Sequence, residues 1–213
     1  DMSYHSIIDN FMISAFRMTS FYYLVVGGLV SLLLGGMSLA GNVSSMADLQ
    51  KHVHQVASRV TAAAVALVSD GGETGSGVIV TPQGLILTAA HVVGGDEIMR
   101  VVFADGRVVK GRVLGANFTR DAAMVQIMDG GNYPHVELGE SDGLHVGDFV
   151  VALGHSKGFD PERRAPIRMG RLCTDGKQRF LISECTLIGG DSGGPLFDLS
   201  GKLVGIHSSI GPM

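Results

Sequence analysis

The apolar positions of this chain fall into three regimes. From Phe21 to Ala40 the sequence FYYLVVGGLVSLLLGGMSLA contains no charge. Residues 42–60, NVSSMADLQKHVHQVASRV, are polar, with apolar positions at partly helical spacing, and read as a linker. After Val60 the rhythm changes to short β-branched runs separated by glycine and aspartate, which is a strand pattern. Candidate strands are Ala63–Val68, Gly77–Thr81, Leu85–Ala90, Ile98–Phe103, Val108–Leu114 and Ala122–Ile127. A second set comprises Phe149–Leu153, Ile167–Cys173, Phe180–Cys185, Gly194–Phe197 and Leu203–His207. Turn signals lie between them: Pro82-Gln83-Gly84, Asp105-Gly106, Asp129-Gly130-Gly131, Asp175-Gly176 and Ser200-Gly201. No βαβ alternation appears, so the expected class is all-β, in two small barrels or sandwiches split near 130–140.

The uncharged run would make a helix about 30 Å long, enough to cross a bilayer core. Arg17 precedes it, and Ser38-Leu39-Ala40 offers a small-x-small cleavage site before Gly41. It reads equally as a signal peptide or a retained transmembrane anchor. Either places the remainder outside the cytoplasm, periplasmic, secreted or membrane-anchored. The expected organisation is an N-terminal extension (1–20), the signal or anchor (21–40), the linker (41–60), and two β units at 61–135 and 136–213.

Composition supports the strand reading. Thirty-one glycines, 6 prolines and no Trp suit many short strands joined by tight turns. With 46% hydrophobic and 17% charged residues the chain is not disordered, and a net charge of −4 gives no electrostatic case for nucleic acid. The densest basic group, Arg163, Arg164 and Arg168, reads first as a solvated loop. Cys173 and Cys185 are too few for a disulfide framework. A hairpin at Asp175-Gly176 would set Cys173 opposite a residue near 179–181, leaving Cys185 out of register and both thiols free. His52 and His54, two apart, do not match helical metal-ligand spacing, and no metal or cofactor is expected.

The strongest chemical signal is Gly189-Gly190-Asp191-Ser192-Gly193-Gly194-Pro195-Leu196. A serine among glycines is accessible, and such backbone can present N–H groups to a developing oxyanion. The same residues fit the nucleophile elbow of α/β-hydrolases, but only 21 residues follow Ser192 and no parallel α/β pattern precedes it. Serine needs a base, usually a histidine oriented by a carboxylate. His91 ends an apolar strand, where a satisfied core histidine is the commoner case, and Asp121 opens another, where a capping role is. The order His, Asp, Ser makes the three together more telling than each alone.

The segments TGSGVIVTPQGLILTAAHVV, RDAAMVQI, VGDFVVALG, GGDSGGPLF and LVGIHSSI resemble the trypsin-like serine proteases, above all the HtrA/Deg branch. The resemblance spans about residues 62–210. It implies two antiparallel β-barrels with His91 as general base, Asp121 orienting it, and Ser192 as nucleophile. It also implies an oxyanion hole at the N–H groups of Gly190 and Ser192. Ile206, His207, Ser208 and Ser209 align with the substrate-pairing strand. The implied partners are protein or peptide substrates, with homotrimers known in that branch.

Three departures stand out. Asp191 occupies a position that is usually Asn in the HtrA/Deg branch; in the digestive and clotting branch the aspartate pairs with a newly cleaved N-terminus. No Ile-Val-Gly-Gly-like start is read, and the candidate partners are a nearby arginine (Arg163, Arg164 or Arg168) or N–H groups of the loop itself, the insert Lys157–Pro166 being expected to supply the partner. A PDZ domain, which many members of that branch carry, is expected to be missing. The sequence also stops soon after the substrate strand, so the second barrel is expected to be incomplete. The stretch Cys185–Gly189 shows no acid placed as in a trypsin-type pocket, Glu184 being nearest, and points to a small or medium apolar P1 side chain. The expected function is a serine endopeptidase acting on extended or misfolded proteins. The alternatives are a catalytically silent protease-fold binding module and a membrane-tethered interaction protein.

Overall fold

A computed structural model describes residues 45–208. The apolar run 21–40 and Ser209 lie outside them, and no helix among the described residues is long and apolar enough to cross a membrane.

The stretch read as part of a linker folds into helix α1 (Met46–Val60). The Ser45 hydroxyl caps it, accepting the Asp48 N–H at 3.2 Å, and Arg59 in the last turn suits the helix dipole. Leu49, Val56, Ala57 and Val60 are buried, and Val56 and Val60 join the main apolar core.

Six strands follow: β1 (Ala64–Val68), β2 (Thr74–Ile79), β3 (Leu85–Thr88), β4 (Ile98–Val102), β5 (Val108–Asn117) and β6 (Ala122–Ile127). They close into an antiparallel barrel in the order β1-β2-β3-β6-β5-β4, which leaves no open edge. Leu67, Val78, Ile86, Val101 and Val125 are fully buried in its core. Strand β5 runs past the expected Leu114 because a register shift between Val113 and Gly115 lets it keep pairing with β6, as far as Asn117 opposite Ala122. The tight connection that remains carries Asp121.

The second unit is a sheet of β7 (Phe149–Leu153), β8 (Ile167–Arg171), β9 (Pro195–Asp198) and β10 (Leu203–Ile206), in the order β10-β9-β7-β8. Within the described residues this sheet is not closed. Phe197, Val151 and Leu153 pack into the same core as the first barrel. The expected strand Phe180–Cys185 does not form. Only an isolated bridge joins Leu172 to Ser183, flanked by Cys173 N–H to Ile182 O (2.7 Å) and Glu184 N–H to Arg171 O (2.9 Å). Phe180 and Ile182 point outward at 50% and 56% exposure, while Leu181 and Cys185 turn toward the smaller apolar cluster. Cys173 is exposed, Cys185 is buried, and both are free thiols as expected, although the bridge sets Cys173 opposite Ile182 rather than a residue near 179–181.

Candidate active site

Strand β3 ends at Thr88, and His91 sits on α2 (Ala90–Val93), a single helical turn, rather than at the end of a longer strand. Its ring is about half exposed and faces Asp121: Nδ1 lies 2.8 Å from Oδ2 and 3.0 Å from Oδ1. Oδ1 also accepts the His91 backbone N–H at 3.0 Å, so one carboxylate fixes both the helical turn and the ring. Asp121 has φ +50°, a left-handed conformation that costs a side-chain-bearing residue on the order of 1 kcal/mol. Its other oxygen accepts the Ser208 hydroxyl at 2.5 Å. Burial alone raises the Asp121 carboxyl, but the hydrogen bonds from Ser208 and His91 outweigh it and hold the group below its ordinary value. An ionised Asp121 accepts from Nδ1–H and leaves Nε2 as the basic nitrogen.

The loop that carries Ser192 is held from both units. Ser76 of β2, fully buried, donates its N–H to Ser192 O (2.7 Å) and its hydroxyl to Gly190 O (2.7 Å), and accepts the His155 N–H (2.8 Å). The Thr88 hydroxyl in turn donates to Ser76 O at 2.7 Å. Gly193, at φ +78°, presses so closely on the end of β3 that an added Cβ would lie 2.1 Å from Thr88 Oγ1. Ser192 is thereby seated beside the strand that leads into His91, although no hydrogen bond joins its hydroxyl to the ring. The N–H groups of Gly190 and Ser192 have no acceptor among the described residues.

Of the residues aligned with a substrate strand, Ile206 pairs with Pro195. His207 gives its N–H to Gly194 O (2.8 Å) and accepts the Gly193 N–H (2.7 Å). Its ring is buried, with Nε2 unpartnered, and burial pushes its pKa down to about 4. Ser208 serves Asp121 with its side chain, a contact sequence reasoning missed. Ser209 lies outside the described residues.

Asp191 is fully buried. Oδ1 accepts the Ser156 hydroxyl (2.6 Å) and Oδ2 the Ile188 N–H (2.8 Å), with Arg168 Nη1 3.2 Å from Oδ2. Arg168 Nη2 also donates to Ser156 Oγ at 2.6 Å. The partner is thus one of the arginines expected, together with a loop N–H. It stands on β8, however, beyond the insert Lys157–Pro166, where the strand's register is fixed by β7. The insert's Arg163 donates instead to Ser156 O. Cys185, in the stretch before the nucleophile, is buried, and burial pushes its thiol up, whereas Glu184 is exposed.

A family model described as a trypsin-like peptidase domain matches residues 75–206. The chain belongs to the trypsin-like peptidase family. Among its relatives in this family, the periplasmic serine endoprotease DegP of Salmonella typhimurium is 34% identical over 141 residues, 64% of this chain and 30% of that protein. A DegP-like periplasmic serine endoprotease of Pseudomonas savastanoi pv. phaseolicola is 38% identical over 139 residues, 64% of this chain and 29% of that protein. HhoB of Synechocystis sp. is 35% identical over 144 residues, 64% and 34% of the two chains. The match spans about a third of the length of these trypsin-like relatives, and they set the chain in the HtrA/Deg branch.

Proposed function

We propose that this chain is a serine endopeptidase that cleaves extended or misfolded proteins through an acyl-enzyme formed on Ser192. The observation that carries this reading is the Asp121 carboxylate, bonded at once to the N–H and Nδ1 of His91 while Ser192 is seated beside the same strand end. His91 Nε2 takes the Ser192 proton as Oγ attacks the scissile carbonyl carbon. The N–H groups of Gly190 and Ser192 stabilise the tetrahedral oxyanion, and His91 then protonates the leaving amine. Water repeats the sequence to release the acid product. Ser208 adds a second donor to Asp121 and keeps it ionised throughout. The short apolar stretch Cys185–Gly189, with Glu184 turned outward, suits a small or medium apolar P1 side chain.

The names of the DegP relatives support an extracytoplasmic site of action. The apolar run 21–40 supports export or anchoring, and a homo-oligomer rests on family analogy alone. Labelling the chain with a fluorophosphonate tests the catalytic reading. Ser192-dependent labelling, abolished in Ser192→Ala, is expected; an unlabelled folded chain would favour the silent binding module.

A further inference from the structure

A tight turn packs against Gly190, one of the proposed oxyanion donors. His155 to Gly158 form a β-turn closed by Gly158 N–H to His155 O at 2.8 Å. Its third residue, Lys157, has φ +60°, while Ser156 is not among the residues with positive φ. That combination is the type II arrangement, which strongly prefers glycine at the third position. The central peptide, Ser156 C=O with Lys157 N–H, is bonded at both ends: Arg163 Nη2 donates to Ser156 O, and Lys157 N–H donates to Gly189 O at 2.6 Å. Gly189 C=O belongs to the same planar peptide as Gly190 N–H, and in a trans peptide the two point in opposite directions. Holding the carbonyl toward Lys157 therefore aims the Gly190 N–H away from the turn. Gly190 itself, at φ +93°, lies against this turn so tightly that an added Cβ would sit 2.5 Å from His155 O and 2.7 Å from Lys157 N.

We infer that Arg163 is a positioning residue: through the peptides 156–157 and 189–190 it sets the direction of the Gly190 N–H. A type II turn reverses its central peptide on passing to type I, and that passage would relieve Lys157 of its left-handed conformation. Arg163 opposes the flip by anchoring Ser156 O. Without that anchor Lys157 N–H turns from Gly189 O, and the Gly190 N–H is no longer aimed. Aligned peptides in series also polarise one another, which strengthens the terminal donor. This inference rests on the reading of Gly190 as an oxyanion donor.

The test compares Arg163→Ala, Lys157→Gly and the double variant of the full chain on a peptide ester substrate. Arg163→Ala is expected to lower kcat about ten- to a hundred-fold with KM nearly unchanged, since an oxyanion donor acts in the transition state. Lys157→Gly, which adopts the turn without strain, is expected to restore most of that loss in the double variant. A purely structural role for Arg163 predicts no such rescue, and unchanged kcat in Arg163→Ala overturns the inference. Hydrogen exchange of the Lys157 amide separates this failure from that of the proposed function. An inactive wild-type chain refutes the endopeptidase reading, and the relay is then judged by whether Arg163→Ala speeds exchange at Lys157. Unaltered exchange refutes the relay.

Discussion

Arg168 on β8 and Asp191 beside Ser192 form an ion pair, with Nη1 3.2 Å from Oδ2 and the carboxylate wholly buried. Nη1 makes no aligned hydrogen bond, so Ser156, bonded to both partners, supplies the directional link. Both partners come from within the described chain, so no freshly cut N-terminus is required to neutralise the carboxylate.

Asp191→Ala should therefore lower turnover more than substrate binding, because it loosens the loop that carries the proposed oxyanion donors. Arg168→Ala should do the same, and the double variant should be little worse than either single one. Each single variant leaves a buried charge alone, at a cost of about 3–5 kcal/mol in stability. Steady-state kinetics and denaturant melts check this; an Asp191→Asn variant with unchanged kinetics counts against it.

Ser208→Ala removes a donor to Asp121 and should let its carboxyl rise toward the ordinary value. Because the folded pKa is depressed, the stability it contributes is present above the unfolded value near 3.8 and is lost as pH falls through the folded one. In Ser208→Ala the acid unfolding midpoint should move to higher pH, and activity should fall several-fold. An acid limb that superimposes on the wild type's removes the argument.

His207 is buried neutral, with its pKa about 4 against an ordinary 6.5. The unfolded chain binds this proton more readily, so folding stability should rise with pH between about 4 and 6.5. The lowering amounts to roughly 3 kcal/mol across that window. His155, also lowered by burial, contributes in the same sense. His207→Asn should flatten the slope; melts in guanidinium at a series of pH values give the comparison.

Gly193→Ala should fail at the loop rather than at the chemistry. The position has φ +78°, and the new methyl would meet Thr88 Oγ1 and Ser76 O at 2.1 and 2.3 Å. Thermal denaturation should show a clear drop in Tm, accompanied by loss of fluorophosphonate labelling. A variant as stable as the wild type would contradict the packing described.

Thiol titration should find one fast-reacting group, Cys173, and one that reacts only on unfolding, Cys185. A single slow class in the native chain would show that Cys173 is covered.

Most strands were legible because alternation and turn residues coincide, as in β6, which forms over the residues expected. Phe180–Cys185 has the alternation of a strand, with Leu181 and Cys185 turned inward, yet it makes only a single bridge, from Ser183 to Leu172. The His91–Asp121 pair could be picked out because a histidine and an acid each stood beside an apolar run in a familiar order. The buried serines could not. Ser76 and Ser156 act through partners far away in sequence, and no spacing announces them. Ser208 was noticed for its strand, whereas its hydroxyl serves Asp121. The Asp191 partner was narrowed to a few arginines by the cost of burying a lone charge, and only the β7–β8 register selects Arg168.

Ser76 belongs to the first barrel, but the groups it holds, Gly190 O, Ser192 O and His155 N, all belong to the second unit. The seat of Ser192 is thus built from two pieces of chain, and it exists only where both have folded and met. A copy in which only the first barrel has formed can pair His91 with Asp121, but has nothing to set Ser192 against them. For a chain read as a peptidase this is an interlock: cutting power arrives with the finished molecule, and newly made or partly unravelled copies do not digest their neighbours.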